Sequence, residues 1–321
     1  MKGSQLRVLP AAAEAPRTAT EDKGPLGRRR ERKAVAMTAP DVIQEQRKQI
    51  GEAVALLRSR SEVAPRVGII CGTGMGALAD RVQDAVRVPY EEIPHFPLST
   101  VESHSGNLIL GSLRGQTVYV MQGRFHCYEG YTVRQVTFPV RVMRGLGCEV
   151  MIVMNAVGSM NPMVPRGSLV FINDHINLMG QNPLVGPNDE ELGPRFLDMS
   201  EPYNRRLIAL AEDVALRAGI RTHRGTLVAV AGPNLETAAE YRAFRIMGAD
   251  IVGMSTIPEV IVANHGGMKV LGISTVTDEC CPDALKPADI NEIIRVAQAA
   301  EPKLDAIVSG VLERITEALG S

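Results

Sequence analysis

The stretch Val67-Gly-Ile-Ile-Cys71-Gly-Thr-Gly-Met-Gly76 joins an apolar run to a glycine-rich turn. This pattern is typical of a short buried strand that ends in a tight loop before a helix. The glycine N–H groups and the Thr73 hydroxyl can cradle an anion. The spacing lacks the G-x-x-G step of a dinucleotide fingerprint, and no Gly-Lys-Ser/Thr follows as in a P-loop. Taken alone, the stretch leaves an anion site and a structural turn as equal alternatives.

Strand and helix patterns alternate on both sides of this stretch. Further strands are predicted at 107–113, 117–121, 150–154, 168–172, 225–230, 251–253 and 269–276, and helices at 41–58, 134–146, 201–218, 236–247, 258–265 and 290–319. Such alternation predicts an α/β domain with a largely parallel central sheet flanked by helices. Residues 173–198 have little periodicity, and a loop of that length is more often functional than idle.

The composition is that of a soluble globular protein, with 321 residues, 45% hydrophobic residues, 22% charged residues and a net charge of −1. With no Trp and only six Tyr and six Phe, base stacking on aromatic platforms is not expected, and we predict no nucleic-acid partner. The five cysteines form no CxxC pair, so neither a disulfide framework nor a structural zinc site is indicated. The sequence therefore predicts a reducing, cytoplasmic location and, with no long uncharged apolar run, no contact with a membrane.

The first 37 residues differ from the rest of the chain. They carry nine basic and four acidic side chains, three prolines and little apolar periodicity. A segment of this kind offers little to pack, so we predict a disordered basic extension at 1–37 and one domain at 38–321. Met37 begins a stretch that is typical of an ordinary protein start, and the preceding residues are interpreted as a possible over-long gene prediction.

A second glycine-flanked stretch, Met121-Gln-Gly-Arg-Phe-His-Cys-Tyr-Glu-Gly-Tyr131, follows another predicted strand. Arg124, His126 and Tyr128 are two residues apart, so an extended segment presents all three on the same side. An arginine offers a fork of donors to an oxyanion, and a histidine adds another. The pair therefore indicates a site for phosphate or sulfate.

Polar side chains also follow three later strands. Glu236, in Ala231-Gly-Pro-Asn-Leu-Glu-Thr237, is explained either by its charge at a helix start or as an acceptor for ligand N–H groups. Ser255 can donate to an anion from a helix start, and Asp278 is either a helix cap or a ligand group. Each signal is weak alone, but their common placement after strands predicts one pocket.

Eight short motifs occur in a fixed order along the chain. They are Gly72-Thr-Gly-Met-Gly76, Val101-Glu-Ser-His-Ser-Gly106, Gln122-Gly-Arg-Phe-His-Cys-Tyr-Glu-Gly-Tyr131, Asn155-Ala-Val-Gly158, Asp174-His-Ile-Asn177, Gly186-Pro-Asn-Asp189, Gly232-Pro-Asn-Leu-Glu-Thr237 and Gly253-Met-Ser-Thr-Ile-Pro-Glu259. In this order they resemble the motif series of the trimeric purine nucleoside phosphorylases, from about residue 40 to the C-terminus. The resemblance implies the nucleoside phosphorylase fold, a single domain with a mixed, mostly parallel sheet. It also implies reversible phosphorolysis of purine nucleosides to free base and ribose 1-phosphate, in purine salvage.

The resemblance assigns roles to individual residues. It implies phosphate binding by Thr73, His104, Arg124, His126, Ser255 and the backbone N–H of Ala156; nucleoside binding by Tyr128, Phe196, Glu236, Met254 and Asp278; and catalytic roles for His126, Glu236 and Asp278. Phe196 corresponds to an aromatic residue that reaches the ribose of a neighbouring subunit, which implies a homotrimer with sites at subunit interfaces. Inorganic phosphate is a co-substrate, and no metal or other cofactor is expected.

Base recognition departs from the family pattern. Glu236 matches the carboxylate that accepts N1–H of hypoxanthine or guanine, whereas Asp278 stands where the common 6-oxopurine enzymes have Asn. An ionised Asp can accept from N7–H, but its second oxygen faces O6 as acceptor against acceptor, so a 6-amino group suits it better. An apolar residue near the ribose 5′ position, expected to be Ile290, is similar to the 5′-methylthioadenosine phosphorylases, although those enzymes lack the Glu.

We therefore expect inosine and guanosine as the leading substrates and adenosine as a further one. Two alternatives stay open at this point. One is a 5′-methylthioadenosine phosphorylase, and the other is a non-catalytic nucleoside-binding protein on the same fold.

Overall fold

The computed structural model describes residues 38–72, 76–98 and 106–319, and a nine-stranded sheet forms the centre of this part of the chain. The strands are β1 Val67–Ile70, β2 Gln83–Pro89, β3 Asn107–Leu113, β4 Gln116–Gln122, β5 Val150–Ser159, β6 Leu169–Asn177, β7 Thr222–Ala229, β8 Ile251–Gly253 and β9 Lys269–Glu279. Their order is β2-β3-β4-β1-β5-β8-β7-β6-β9, and β9 also pairs with β5. The last five strands of this order therefore close into a ring, and the other four extend the sheet from it.

Both strand directions occur in the sheet. The pairs β1–β4, β1–β5, β5–β9, β6–β7 and β7–β8 are parallel, and β2–β3, β3–β4, β5–β8 and β6–β9 are antiparallel. The predicted α/β fold with a mixed, mostly parallel sheet is confirmed. Residues 1–37 lie outside the described residues, so the predicted extension and its boundary stay predictions.

Six helices flank the sheet in the described residues: α1 Ala39–Arg60, α2 Val133–Leu146, α3 Arg205–Arg217, α4 Ala238–Ile246, α5 Ile257–His265 and α6 Ile290–Leu319. Capping boxes begin three of them, at Thr38, Thr132 and Thr237, where the hydroxyl and the side chain three residues later satisfy free N–H groups. Helix α2 ends at Gly147, whose φ of 116° requires glycine. These local signals place each helix relative to the strand before it.

The core lies between the sheet and its helices. All four residues of β1 are buried, and helix α2 packs on α1 and α5 while α3 packs on α6. Burying an aliphatic side chain of this kind contributes about 1.5–3 kcal/mol. The aliphatic core thus holds the strand ends in fixed positions.

Several element boundaries differ from the sequence prediction. Strand β2 was not predicted, because four of its seven residues are exposed and its pattern is weak. Strands β5 and β6 continue five residues beyond the predicted ends, so the first part of the segment 173–198 is strand rather than loop. The ring explains this extension, because late residues of β5 pair with β8 and β9 and late residues of β6 pair with β7.

Candidate active site

A cavity of about 530 Å³ opens where the strands β1, β4, β5, β8 and β9 end. Its wall includes Arg124, His126, Tyr128, Ala156, Glu236, Met254, Ser255 and Asp278. These residues come from chain segments that lie up to about 150 positions apart, and the ends of the strands bring them together. The cavity has one end rich in donors and another that holds two carboxylates.

Arg124 anchors the donor end. Its guanidinium is buried, and Nη1 donates to Ser255 Oγ and to Thr256 Oγ1, both at 2.8 Å, while Nη2 donates to the Met154 carbonyl at 2.7 Å. Burial lowers the pKa of Arg124, and the nearby carboxylate of Glu259 opposes that shift. The side chain is therefore held as a fixed cation against the wall of the cavity.

The turn before α5 shapes the same end. Thr256 has φ 78°, a left-handed conformation that is costly for a β-branched residue and that is often found at functional sites. Glu259, in the first turn of α5, lies 3.6 Å from Arg124 Nη1 and is buried. Within the described part of the chain, neither of its carboxylate oxygens accepts a hydrogen bond. The charge of Glu259 thus balances Arg124 without occupying its donors.

His126 is oriented by a neighbouring carboxylate. Its Nδ1 lies 2.9 Å from Glu129 Oε1, which also accepts from the His126 backbone N–H at 2.8 Å. Since a carboxylate only accepts, Nδ1 carries the hydrogen. The imidazole stacks on Tyr128 with ring centroids 4.5 Å apart, because a 3-10 turn begins at Cys127 and replaces the expected extended segment.

Glu236 and Asp278 form the opposite end. Asp278 Oδ1 accepts from Thr277 Oγ1 at 2.9 Å, and Oδ2 accepts from Cys280 Sγ at 3.0 Å. Burial raises the pKa of Glu236, a hydrogen bond from Tyr241 opposes the shift, and the charge of Asp278 adds to it. Neither residue caps a helix, because α4 begins after Thr237 and Asp278 lies within β9. This end therefore offers acceptors to the polar edge of a ligand.

Comparison with known proteins places this geometry in a family. The model of the phosphorylase superfamily matches residues 66–313. The purine nucleoside phosphorylase 1 of Geobacillus stearothermophilus is 48% identical over 268 residues, which cover 84% of this chain and 98% of the relative. The chain belongs to the phosphorylase superfamily. Within it, this is a member of the purine nucleoside phosphorylase family, an enzyme family of pentosyltransferases.

Solved structures agree with this assignment. The Schistosoma mansoni purine nucleoside phosphorylase in complex with inosine aligns with a TM-score of 0.79 and 41% identity, covering 83% of this chain and 96% of the other. The same enzyme in complex with adenosine aligns with a TM-score of 0.80 and 40% identity, covering 84% and 97%. The fold expected from the motif series is thus confirmed.

Most of the residues that the family resemblance assigned lie together in the cavity. Thr73 and His104 fall outside the described residues, so their roles stay predictions. Phe196 is 90% exposed and does not line the cavity of its own chain. Ile290 lines the cavity, in agreement with the apolar residue expected there from the sequence.

The sequence prediction did not single out several residues of the site. Glu129, Thr256 and Glu259 were quoted within motifs, but no separate signal marked them as partners of His126 and Arg124. Tyr241 and Cys280 were missed because a Tyr in a helical pattern and a Cys beside a strand are both typical of a core.

The part of the chain that the structure describes contains no cluster of three or more His, Cys, Asp or Glu side chains able to hold a metal ion. Among the same residues, no helix is both long and apolar enough to span a bilayer.

Proposed function

We propose that this purine nucleoside phosphorylase family member catalyses the reversible phosphorolysis of purine nucleosides, giving a free base and ribose 1-phosphate. One observation carries the proposal. A buried, oriented arginine and two carboxylates face each other across a single cavity of about 530 Å³. Such a cavity can hold an anion at one end and a hydrogen-bonding heterocycle at the other.

The donor end suits inorganic phosphate as the second substrate. Arg124 supplies charge, and Ser255, which accepts from Arg124 at 2.8 Å, has its own hydroxyl hydrogen left for the phosphate. The Ala156 N–H adds a donor, and His126, whose Nδ1–H is directed at Glu129, can accept the hydroxyl hydrogen of hydrogen phosphate through Nε2. We assign Thr73 and His104 to the same group. A phosphate dianion held here stabilises the positive charge that develops on the ribosyl group as the C1′–N9 bond breaks. The anomeric carbon then bonds to a phosphate oxygen.

The carboxylate end receives the departing base. The purine takes the electron pair of the broken bond and gains a proton at N7, which balances the proton that hydrogen phosphate loses when its oxygen bonds to the anomeric carbon. Asp278 accepts from this N7–H. Glu236 accepts from N1–H of a 6-oxopurine. Burial raises the pKa of Glu236, which disfavours the ionised carboxylate. The hydrogen bond from N1–H stabilises that carboxylate and so opposes the effect of burial. Tyr128 and Met254 also line the cavity, and we assign them to the ribose.

Two alternatives are less well supported. A 5′-methylthioadenosine phosphorylase would fit Asp278 and the apolar Ile290 in the cavity wall, but it gives no role to Glu236. A non-catalytic nucleoside-binding protein gives no role to the Arg124 and Ser255 arrangement. Phosphorolysis of 6-oxopurine nucleosides, with adenosine as a further substrate, uses both ends of the cavity.

The active assembly in this proposal is a homotrimer in the cytoplasm. Phe196 is exposed in the single chain, and an aromatic side chain at this position is free to contact the ribose in a neighbouring subunit. All five cysteines are unpaired, which suits a reducing compartment. Inorganic phosphate enters as a substrate, and the reaction as written needs no resident cofactor.

Steady-state phosphorolysis of four nucleosides tests the proposal. Inosine, guanosine, adenosine and 5′-methylthioadenosine are each assayed with and without inorganic phosphate. We expect phosphate-dependent release of base from inosine and guanosine. Turnover of 5′-methylthioadenosine alone would replace the proposal with the first alternative, and tight nucleoside binding with no turnover would replace it with the second.

A further inference from the structure

A second cavity adjoins the active-site cavity at its carboxylate end. Its volume is about 640 Å³, and residues 284–289, which follow β9, form part of its wall. Glu236 and Asp278 line both cavities, as do Leu235 and Ile293. The two spaces therefore adjoin each other, and the two carboxyl groups stand at the boundary.

A bound purine directs one of its positions at this boundary. In the proposed reaction Glu236 contacts N1 of the base, and Asp278 contacts N7. The exocyclic group on C6 lies between N1 and N7 on the edge of a purine, so it points between the two carboxyl groups. Atoms added to that exocyclic group therefore leave the first cavity and enter the second.

Apolar surface continues from the boundary into the second cavity. Leu235, which lines both cavities, is 42% exposed, and Leu285, which lines the second cavity but not the first, is 40% exposed. Pro287 and Ala288 also line the second cavity. Apolar side chains that share a concave space are typical of a ligand site rather than of scattered surface residues. The second cavity thus suits an apolar ligand group.

The charges of the second cavity disfavour an anionic occupant. Five carboxyl side chains and two cationic ones line it: Glu236, Asp278, Glu279, Asp289, Glu292, Arg166 and Lys286. Arg166 is already engaged, because its Nη1 donates to Glu292 and its backbone N–H donates to Glu279, both at 3.2 Å. A carboxylate or phosphate on the ligand would therefore meet like charge, whereas a neutral group would not.

We propose that the second cavity is a subsite for a neutral, apolar substituent on the 6-amino nitrogen of the purine, so that the enzyme also takes N6-alkyl and N6-arylmethyl adenine nucleosides. The inference rests on the proposed phosphorolysis and names a further substrate class for the same site. The reacting bond is the same C1′–N9 bond, and the substituent takes no part in the chemistry.

Asp278 keeps acceptors for the substituted nitrogen. Its Oδ1 accepts from Thr277 Oγ1 at 2.9 Å, and its Oδ2 accepts from Cys280 Sγ at 3.0 Å. Each oxygen of a carboxylate has two lone pairs, so both can accept a second hydrogen bond. An N6-substituted adenine retains one N6–H. This hydrogen and the N7–H of the departing base fill the two remaining acceptor positions.

Three free bases test the subsite without any turnover. Isothermal titration calorimetry compares adenine, N6-benzyladenine and N6-(4-carboxybenzyl)adenine on the full chain. We expect N6-benzyladenine to bind within about tenfold of adenine or more tightly, because burial of the ring offsets the cost of ordering it. The carboxybenzyl compound has nearly the same shape as the benzyl compound. It should bind at least about tenfold more weakly than the benzyl compound, because its charge meets the carboxyl groups of the cavity.

Substitutions at Leu285 separate the second cavity from the first. Leu285→Trp fills space that the benzyl group needs, so it should raise the Kd of N6-benzyladenine about tenfold and leave that of adenine within about twofold. Leu285→Ala removes an apolar contact and should raise the Kd of N6-benzyladenine about threefold. Leu216→Trp makes the same replacement at an exposed position of α3, outside both cavities, and should change neither Kd. Loss of structure would instead weaken both bases together.

Several results would overturn the subsite. N6-benzyladenine that binds more than about tenfold more weakly than adenine, or not at all, would show that the way into the second cavity is closed. Equal binding of the benzyl and carboxybenzyl compounds would contradict the preference for a neutral group. Equal effects of Leu285→Trp on adenine and N6-benzyladenine, or no effect of either Leu285 variant, would show that the substituent does not reach Leu285.

Turnover separates this inference from the proposed reaction. Phosphate-dependent release of N6-benzyladenine from its nucleoside would support both. The expected binding pattern without phosphate-dependent turnover of inosine would support the subsite and overturn the reaction. Turnover of inosine by a protein that fails the binding tests would overturn the subsite alone.

Discussion

Replacing Ser255 by Ala tests the donor end of the cavity with little risk to the fold. Arg124 Nη1 loses one of two acceptors at 2.8 Å, but it keeps Thr256 Oγ1, and Nη2 keeps the Met154 carbonyl at 2.7 Å. The guanidinium therefore stays in place. The variant also removes the hydrogen bond that Ser255 donates to phosphate, which as a bond to a charged group is worth about 1.5–2 kcal/mol. That energy corresponds to about a 10- to 30-fold loss of kcat/KM for phosphate.

Initial rates of inosine phosphorolysis at varied phosphate measure this loss. Ser59→Ala, which removes an exposed hydroxyl near the end of α1, is a matched control and should behave as the unaltered protein. The KM for inosine should change much less than the KM for phosphate in the Ser255 variant. An unchanged kcat/KM for phosphate, or an equal loss in the control, would refute the assignment of Ser255 to the phosphate site.

Three other predictions concern the base end and the subunit interface. Burial raises the pKa of Glu236, so the loss of kcat/KM for inosine on acidification should begin at a pH above the usual pKa range of a Glu side chain. Glu236→Gln should remove this acidic limb of the pH profile. A carboxyl with a raised folded-state pKa favours folding at low pH and loses that contribution as the pH rises. Glu236→Gln should therefore also raise Tm at pH 7, and the increase should become smaller as the pH approaches 4. An equal Tm difference at both pH values would contradict this. Asp278→Asn supplies an amide donor to O6, so the inosine to adenosine ratio should rise about tenfold, and an unchanged ratio in steady-state assays would count against Asp278 as a base contact. Phe196→Ala should increase the KM for inosine. It should change the free energy of unfolding by less than about 0.5 kcal/mol, because Phe196 is exposed in its own chain. If light scattering shows a trimer and the KM is unaltered, Phe196 has no role at the ribose of a neighbouring subunit.

The sequence predicted the fold to the extent that local periodicity determines it. Strand β8 and helix α6 have their predicted bounds, because each has a clear pattern and clear ends. The closed ring could not be predicted from local patterns. It depends on β9 pairing with β5 on one side and β6 on the other, and such long-range pairing leaves no local periodicity.

The same distinction applies to the site. Arg124 and His126 follow directly after a strand, and their residue types alone indicate an anion site. Glu259 lies 135 positions after Arg124, and its contact with the arginine depends on the fold bringing the first turn of α5 beside the segment that follows β4. Tyr241 and Cys280 meet only because α4 and the end of β9 converge at the same end of the cavity. Tertiary packing, which a single sequence does not encode locally, creates these contacts.

The fate of phosphate during the reaction tests the central claim most directly. Inosine and inorganic phosphate are incubated with the full chain and followed by ³¹P nuclear magnetic resonance, with hypoxanthine measured in the same sample. Phosphorolysis predicts that ribose 1-phosphate appears in equal amount to hypoxanthine and that no base is released when phosphate is left out. Release of hypoxanthine with free ribose and no consumption of phosphate would identify a hydrolase and contradict the account.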